Sequence, residues 1–171
     1  MKIDALKKVC VAGAGQMGRQ IALTIALHGY DVYLTDSVPA ALAQTDTWSR
    51  DYLDGRVSKG KMTSEQADAA RARFHLVPTL QQAAAGSQIV IEAILEDREI
   101  KRSFYFELGG IVGEDTILAS NSSYMVSSLF QDCVKTPSRL ANMHFFNPAL
   151  VLKLVEVVKG EHTAPDTVEL I

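Results

Sequence analysis

Apolar residues fall along this chain in two rhythms, short unbroken runs and longer stretches carrying a single apolar stripe, which predict strands alternating with helices. Residues 7–12 read as the first strand and residues 16–28 as a helix, with Gly29 where a left-handed C-terminal cap belongs. Residues 31–36 supply a second strand. Pro39 sits at a first helical position, and Leu42, Thr45, Trp48, Tyr52 and Leu53 continue a helical stripe to about Lys59, where Gly60 ends it. Thr63 with Gln66 forms a capping-box pattern before an alanine-rich helix reaching Arg73. The second strand is therefore followed by a helical hairpin over residues 39–74, more than a simple crossover requires.

The alternation continues. Residues 75–77 read as a short strand, Thr79 with Gln82 offers another capping box, and Gly86 closes that helix before the apolar strand at residues 88–93. A helix is predicted over residues 98–108, a strand over 116–120, a short helical turn over 127–130, and strands over 140–145 and 152–158. This order implies a largely parallel, doubly wound sheet with helices on both faces and right-handed crossovers. Residues 163–171 carry a cap, a proline and an acid that begin a helix too short to be stable alone. The expectation is either the front part of something longer or a C-terminal helical stub.

With 171 residues, 47% of them hydrophobic, the chain can bury a sizeable core. A net charge of -3, with no dense gathering of lysine and arginine, argues against a nucleic-acid partner held by bulk electrostatics. Met1-Lys2-Ile3-Asp4-Ala5-Leu6-Lys7-Lys8 lacks the apolar core of a secretion signal, and no apolar run is long enough to span a bilayer, so the chain is expected to be soluble and cytoplasmic, with no membrane partner. Cys10 and Cys133 are far apart and suggest neither a disulfide framework nor a metal site. Both are expected to be reduced thiols.

The chemistry begins where the first strand runs into Val9-Cys10-Val11-Ala12-Gly13-Ala14-Gly15-Gln16-Met17-Gly18. Gly13 allows a tight turn, Gly15 lets backbone approach a pyrophosphate, and Gly18 lets the following helix pack closely on the strand. The helix opening there directs free N–H groups and its positive dipole end at that pyrophosphate. Asp36, at the tip of the next strand, can accept both ribose hydroxyls of NAD and would repel the extra phosphate of NADP. Ser37, not an arginine, follows it. The pattern is that of a Rossmann-type NAD-binding fold, with Gly13, Gly15, Gln16, Met17, Gly18 and Asp36 as candidate cofactor residues. A second reading of Asp36 stays open, in which it caps the turn before Pro39.

A second constellation is Met143-His144-Phe145-Phe146-Asn147-Pro148, followed by Glu156 within an apolar run. His144 falls at a strand's carboxyl end, where open α/β sheets place their ligands. If its strand and the next are neighbours, Glu156 can accept from one imidazole nitrogen and stabilise the imidazolium when the other takes a proton. The alternative is a histidine satisfied in a core or turn beside phenylalanines.

These blocks together resemble the 3-hydroxyacyl-CoA dehydrogenases, including the bacterial 3-hydroxybutyryl-CoA dehydrogenases. The match takes in Gly13-Ala14-Gly15-Gln16-Met17-Gly18, Glu92-Ala93-Ile94-Leu95-Glu96 with Lys101, Ser120-Asn121-Ser122-Ser123, and His144-Phe145-Phe146-Asn147-Pro148 with Glu156. It spans nearly the whole chain and corresponds to the family's N-terminal NAD-binding domain. The resemblance implies oxidation of a (3S)-hydroxyacyl-CoA to the 3-ketoacyl-CoA with hydride transfer to NAD, or the reverse. It makes His144 the catalytic base, Glu156 its partner, Ser123 a hydrogen-bond donor to the substrate oxygen and Asn147 a residue that holds the site. Glu96, Lys101 and Asn121 would line the nicotinamide side. Read from the residues alone, Ser122 and Ser123 are equally turn formers and Lys101 a solvated helix charge.

Two departures qualify the resemblance. Ser122 stands where the family usually has threonine, and Tyr124-Met125 replaces a small apolar pair, a difference that bears on acyl-chain preference. The family's helical C-terminal domain, which closes over the substrate and forms most of a dimer interface, is not found in these 171 residues. The fragment alone is accordingly expected to bind NAD with little or no turnover, because a wet site screens the electrostatic stabilisation that hydride transfer relies on. Arg50, Arg56, Lys59 and Lys61 of the hairpin are either phosphate partners for CoA or a solvated face. The alternatives kept beside this reading are a gulonate-type hydroxy-acid dehydrogenase domain, a non-catalytic NAD-binding or redox-sensing module, and a methyltransferase using the same glycine turn.

Overall fold

A computed structural model describes residues 6–171, so the expectation drawn from the first residues lies largely outside the described part. Seven strands form one sheet: β1 (Lys8–Ala12), β2 (Asp31–Thr35), β3 (Phe74–Leu76), β4 (Ile89–Glu92), β5 (Ile117–Ser120), β6 (Leu140–Phe145) and β7 (Val155–Val158). Their spatial order is β3-β2-β1-β4-β5-β6-β7. All neighbours pair in parallel except β6 and β7, which are antiparallel. The chain builds outward from β1 through β2 to β3, then returns to lay β4 against the other side of β1. That reversal opens a crevice beyond the carboxyl ends of β1 and β4, the switch point at which such sheets take ligands.

The central strands are buried on both faces. Val9 and Val11 of β1 join Ile89 and Ile91 of β4 in one core cluster. Cys10, Val90 and Leu118 point to the other face and pack with Tyr105, Leu108 and Phe130. This is the two-residue alternation of a pleated strand with apolar layers on each side.

The helices are α1 (Gln16–Leu27), α2 (Pro39–Ser58), α3 (Ser64–Arg73), α4 (Leu80–Ala84), α5 (Arg98–Gly109) and α6 (Pro165–Leu170). Gly29 follows α1 at φ +93° and Gly60 follows α2 at φ +62°, where other residues would be strained. The predicted capping box of α3 is complete, Thr63 accepting from the Gln66 N–H and Gln66 accepting from the Thr63 N–H. The α2–α3 hairpin buries Leu53, Ala67 and Ala70 against Leu23 of α1. Thr45 also donates to the Ala14 carbonyl at 3.3 Å, so the hairpin touches the glycine turn directly.

One expectation needs correction. The last strand begins at Val155, not at 152, because Val151 and Leu152 both donate to the Pro148 carbonyl and close a turn first. The final helix, too short to be stable alone, is held by the rest of the chain. Thr167 donates to the Ser138 carbonyl at 2.9 Å, Arg139 pairs with Asp166 at 2.8 Å, and Leu170 and Ile171 pack on the core. Tertiary contact stabilises a segment that two turns of backbone bonding would not. Among the described residues no helix is long and apolar enough to cross a membrane.

Candidate active site

The crevice holds a cavity of about 1300 Å³. Gly13, Gly15, Gln16, Met17 and Asp36 line one side, with Glu92, Ala93, Glu96, Lys101, Asn121, Ser122 and Ser123 further round. Gly13 is held at φ +101°, its N–H donates to the Thr35 carbonyl at 2.8 Å, and a Cβ there would collide with the Ala93 carbonyl. At Gly18 a Cβ would strike the Gly13 carbonyl, so the start of α1 lies against the turn only because no side chain intervenes. Gly15 differs from both. A Cβ there would meet nothing of the protein within 4 Å, yet the residue borders the cavity, so the space it leaves clear is room for a ligand against bare backbone at a helix N-terminus.

Asp36 makes the cap that its second reading gives it. One carboxylate oxygen accepts from the Ala14 N–H at 2.6 Å and the other from the Val38 N–H at 2.8 Å, bracing the glycine turn and capping the residue before Pro39. The same side chain borders the cavity at the end of β2.

Farther along, the floor is charged. Glu92, the last residue of β4, is fully buried and collects four donors. One oxygen takes the Ile94 N–H at 3.0 Å and the Lys101 ammonium, and the other takes Ser120 Oγ at 2.7 Å and Tyr105 Oη at 3.5 Å. The Lys101 side chain is 1% exposed and also reaches Glu96 Oε2 at 3.0 Å. The solvated-charge reading of Lys101 is therefore excluded. Glu96 in turn accepts from Ser122 Oγ, and Ser122 Oγ accepts from the Met125 N–H at 2.9 Å. Burial beside Glu92 pushes the Tyr105 hydroxyl well above its ordinary range, so it stays a neutral donor.

No role for Glu92 follows from the sequence pattern, although one signal was present. An acid closing an apolar central strand must be compensated once buried, and Lys101 follows within reach of a helical turn.

The second constellation assembles at the β6–β7 edge. His144 faces Glu156 directly across the antiparallel ladder, and Nδ1 stands 3.5 Å from Glu156 Oε2. The imidazole is 19% exposed, the carboxylate 59%, and the ring lies 4.7 Å from that of Phe146. His144 is thus neither a core histidine nor free in solvent. His144, Glu156 and the exposed Asn147 stand outside the cavity's lining. They are joined to it by Asn121, whose side-chain oxygen accepts from the Phe145 N–H at 2.9 Å. Ser120 pairs with Asn142, so residues 121–123 leave β5 beside the last residues of β6, 143–145. Asn142 is buried and secures that loop, accepting from the Ser127 N–H at 2.8 Å and donating to the Met125 carbonyl at 2.9 Å. Ser123 borders the cavity, exposed.

In the hairpin, Arg50 is taken by Asp46 at 2.9 Å, while Lys59 and Lys61 are exposed. Among the described residues no cluster of three or more His, Cys, Asp or Glu side chains could hold a metal ion.

A sheet of this order, with a glycine turn at its switch point, an acid at the tip of β2 and a histidine–carboxylate pair beside the crevice, defines a dinucleotide-binding domain of the dehydrogenase class. Residues 8–171 match the 3-hydroxyacyl-CoA dehydrogenase, NAD binding domain, and the chain belongs to that family. It is 38% identical to the 3-hydroxyadipyl-CoA dehydrogenase of Escherichia coli (strain K12) over 165 residues, 96% of this chain and 34% of the relative. It is 36% identical to the fatty acid oxidation complex subunit alpha of Pseudomonas syringae pv. syringae, over 95% of this chain and 22% of that one. Among solved structures, 3-hydroxybutyryl-CoA dehydrogenase from Escherichia coli K12 superposes with TM-score 0.92 at 37% identity, covering 96% of this chain and 34% of the other. The (S)-3-hydroxybutyryl-CoA dehydrogenase from Ralstonia eutropha also gives 0.92, at 32% identity, with 96% and 58% covered. The chain thus spans about a third or less of the length of these two curated relatives. The cofactor of the family's domain is NAD, and the residues present fit it: bare backbone at Gly15, a carboxylate at Asp36, and a cavity between them.

Proposed function

We propose that this chain forms the NAD-binding half of the active site of an L-3-hydroxyacyl-CoA dehydrogenase, which oxidises (3S)-hydroxyacyl-CoA to 3-ketoacyl-CoA or runs the reverse. The observation that carries the proposal is the pairing of His144 with Glu156 beside the wall formed by Asn121, Ser122 and Ser123. Bound NAD supplies the hydride acceptor. Glu156 faces Nδ1 of His144 and favours that nitrogen protonated, which leaves Nε2 free to take the hydroxyl proton of the substrate. The positive charge that then forms on the ring is stabilised by the same carboxylate. Ser123 donates to the substrate oxygen from the loop that Asn142 secures, and Asn147 helps hold the site.

Two relatives carry 3-hydroxyadipyl-CoA and 3-hydroxybutyryl-CoA in their names, both 3-hydroxyacyl thioesters, which supports an acyl-CoA substrate. Glu156 and the whole of β7 are exposed. We read this edge as the face a helical domain covers to shut water out of the site, and that domain as the source of a homodimer. The work is placed in the cytoplasm, where both acyl-CoA and NAD are soluble. The proposal is tested with His144→Ala in a protein that joins this chain to such a domain. Turnover of 3-hydroxybutyryl-CoA falls about 10²-fold or more while NADH affinity is retained. Unchanged turnover would leave a non-catalytic NAD-binding module.

A further inference from the structure

The proposed dehydrogenase reading leaves the net charge of one feature of the cavity without a task. Lys101 is balanced by a single carboxylate, yet two reach it, Glu92 from below and Glu96 from the side. Two carboxylates sharing one ammonium leave one excess negative charge. It is held in place: Glu92 is fully buried with four donors, and Lys101 is almost as deeply buried. It is also near the reacting end of the cavity, because Glu96 holds Ser122, and Asn121 next in the chain holds the backbone beside His144. A hydride acceptor served by His144 has to lie along this wall.

The two redox forms of the cofactor differ in charge at the reacting ring, which is cationic when oxidised and neutral when reduced. A fixed negative charge nearby attracts the first and is indifferent to the second, and low-dielectric walls carry that difference further than water would. We propose that the Glu92–Lys101–Glu96 cluster biases this cleft toward the oxidised cofactor, with buried Glu92 as the positioning residue that supplies the excess charge. The Glu92 carboxylate is taken up by donors of the protein itself. It acts by fixing the ammonium and by leaving the Glu96 charge only partly cancelled. The inference rests on the dinucleotide-binding reading of the crevice.

The test compares dissociation constants for NAD⁺ and NADH, measured on residues 1–171 by calorimetry and NADH fluorescence at one ionic strength. Glu92→Gln keeps the shape and removes the charge, and the ratio Kd(NAD⁺)/Kd(NADH) is expected to rise about fivefold, the size of a unit charge acting across a partly wet cleft. A purely structural role would weaken both forms in parallel, and an unchanged ratio overturns the proposal. Should Glu92→Gln fail to fold by circular dichroism, Glu96→Gln removes the same charge from a side chain that is 33% exposed. The ratio must then rise in that variant, and its constancy would overturn the proposal equally. Failure of the wild-type chain to bind either form is a different result, which removes the dinucleotide reading itself.

Discussion

The two ends of the crevice are built on opposite terms. Along the floor of the cavity the acids are answered from within the chain: Asp36 braces Ala14, Gly13 bonds to β2, and the Glu92 carboxylate has four donors in a fully buried setting. At the β6–β7 corner the His144–Glu156 pair is half open, and Val151, Leu152, Leu154, Val155, Val157 and Val158 are all exposed. The cofactor end is held by its own contacts. The His144 corner is aimed by strand register and by the Asn121 bond to the Phe145 N–H. On the proposed reading, the contrast makes binding and turnover separable, the first surviving changes that remove the second.

Substitutions at the two ends should therefore differ in kind as well as size. Lys101→Met leaves Glu92 buried without its cation, and breaking such a pair costs about 3–5 kcal/mol, or roughly 10 °C in Tm by calorimetry. A loss of only a degree or two would mean that the cofactor end is less tightly held than its hydrogen bonds indicate. Gly13→Ala forces a left-handed backbone and a clash with Ala93, at a cost of about 1–3 kcal/mol in chemical denaturation. Val157→Thr, on the exposed edge, should stay within about 0.5 kcal/mol of wild type. A large loss there would show that the corner is packed more like the other end.

The same contrast appears in alkali. Burial pushes the Cys10 thiol from its ordinary 9.0 up to about 12, and lifts the Tyr105 hydroxyl well above 10.0. Both groups keep their protons in the folded chain at pH values where the unfolded chain has released them. The stability they contribute is complete below pH 9 and falls as pH rises toward 12, so Tm should drop across that window. Cys10→Ala with Tyr105→Phe should flatten the drop. Thiol labelling at neutral pH should find Cys133 in the folded protein and both cysteines only in denaturant.

Legibility in the sequence followed the range of the interactions. The glycine turn, the Thr63–Gln66 box and the caps at Gly29 and Gly60 depend on residues a few positions apart, and each stands where its pattern placed it. His144 and Glu156 were legible because two adjoining strands and a short connection bring them opposite. Glu92 was not, since its partners at 94, 101, 105 and 120 converge only after α5 and β5 have folded back over β4. The antiparallel β7 carried a signal of its own: residues 146–154 are too few for the crossover that a parallel partner of β6 would need.

The claim on which the rest depends is that the space beside Gly15 is kept clear for a pyrophosphate. Its φ of -66° suits any residue, and a side chain there would touch nothing of the protein within 4 Å. Gly15→Val should therefore melt within a degree or two of wild type and yet lose NADH binding in a fluorescence titration by about 10²-fold, because its methyl groups would occupy the phosphate's place. A Gly15→Val chain that binds NADH like the wild type would contradict the account.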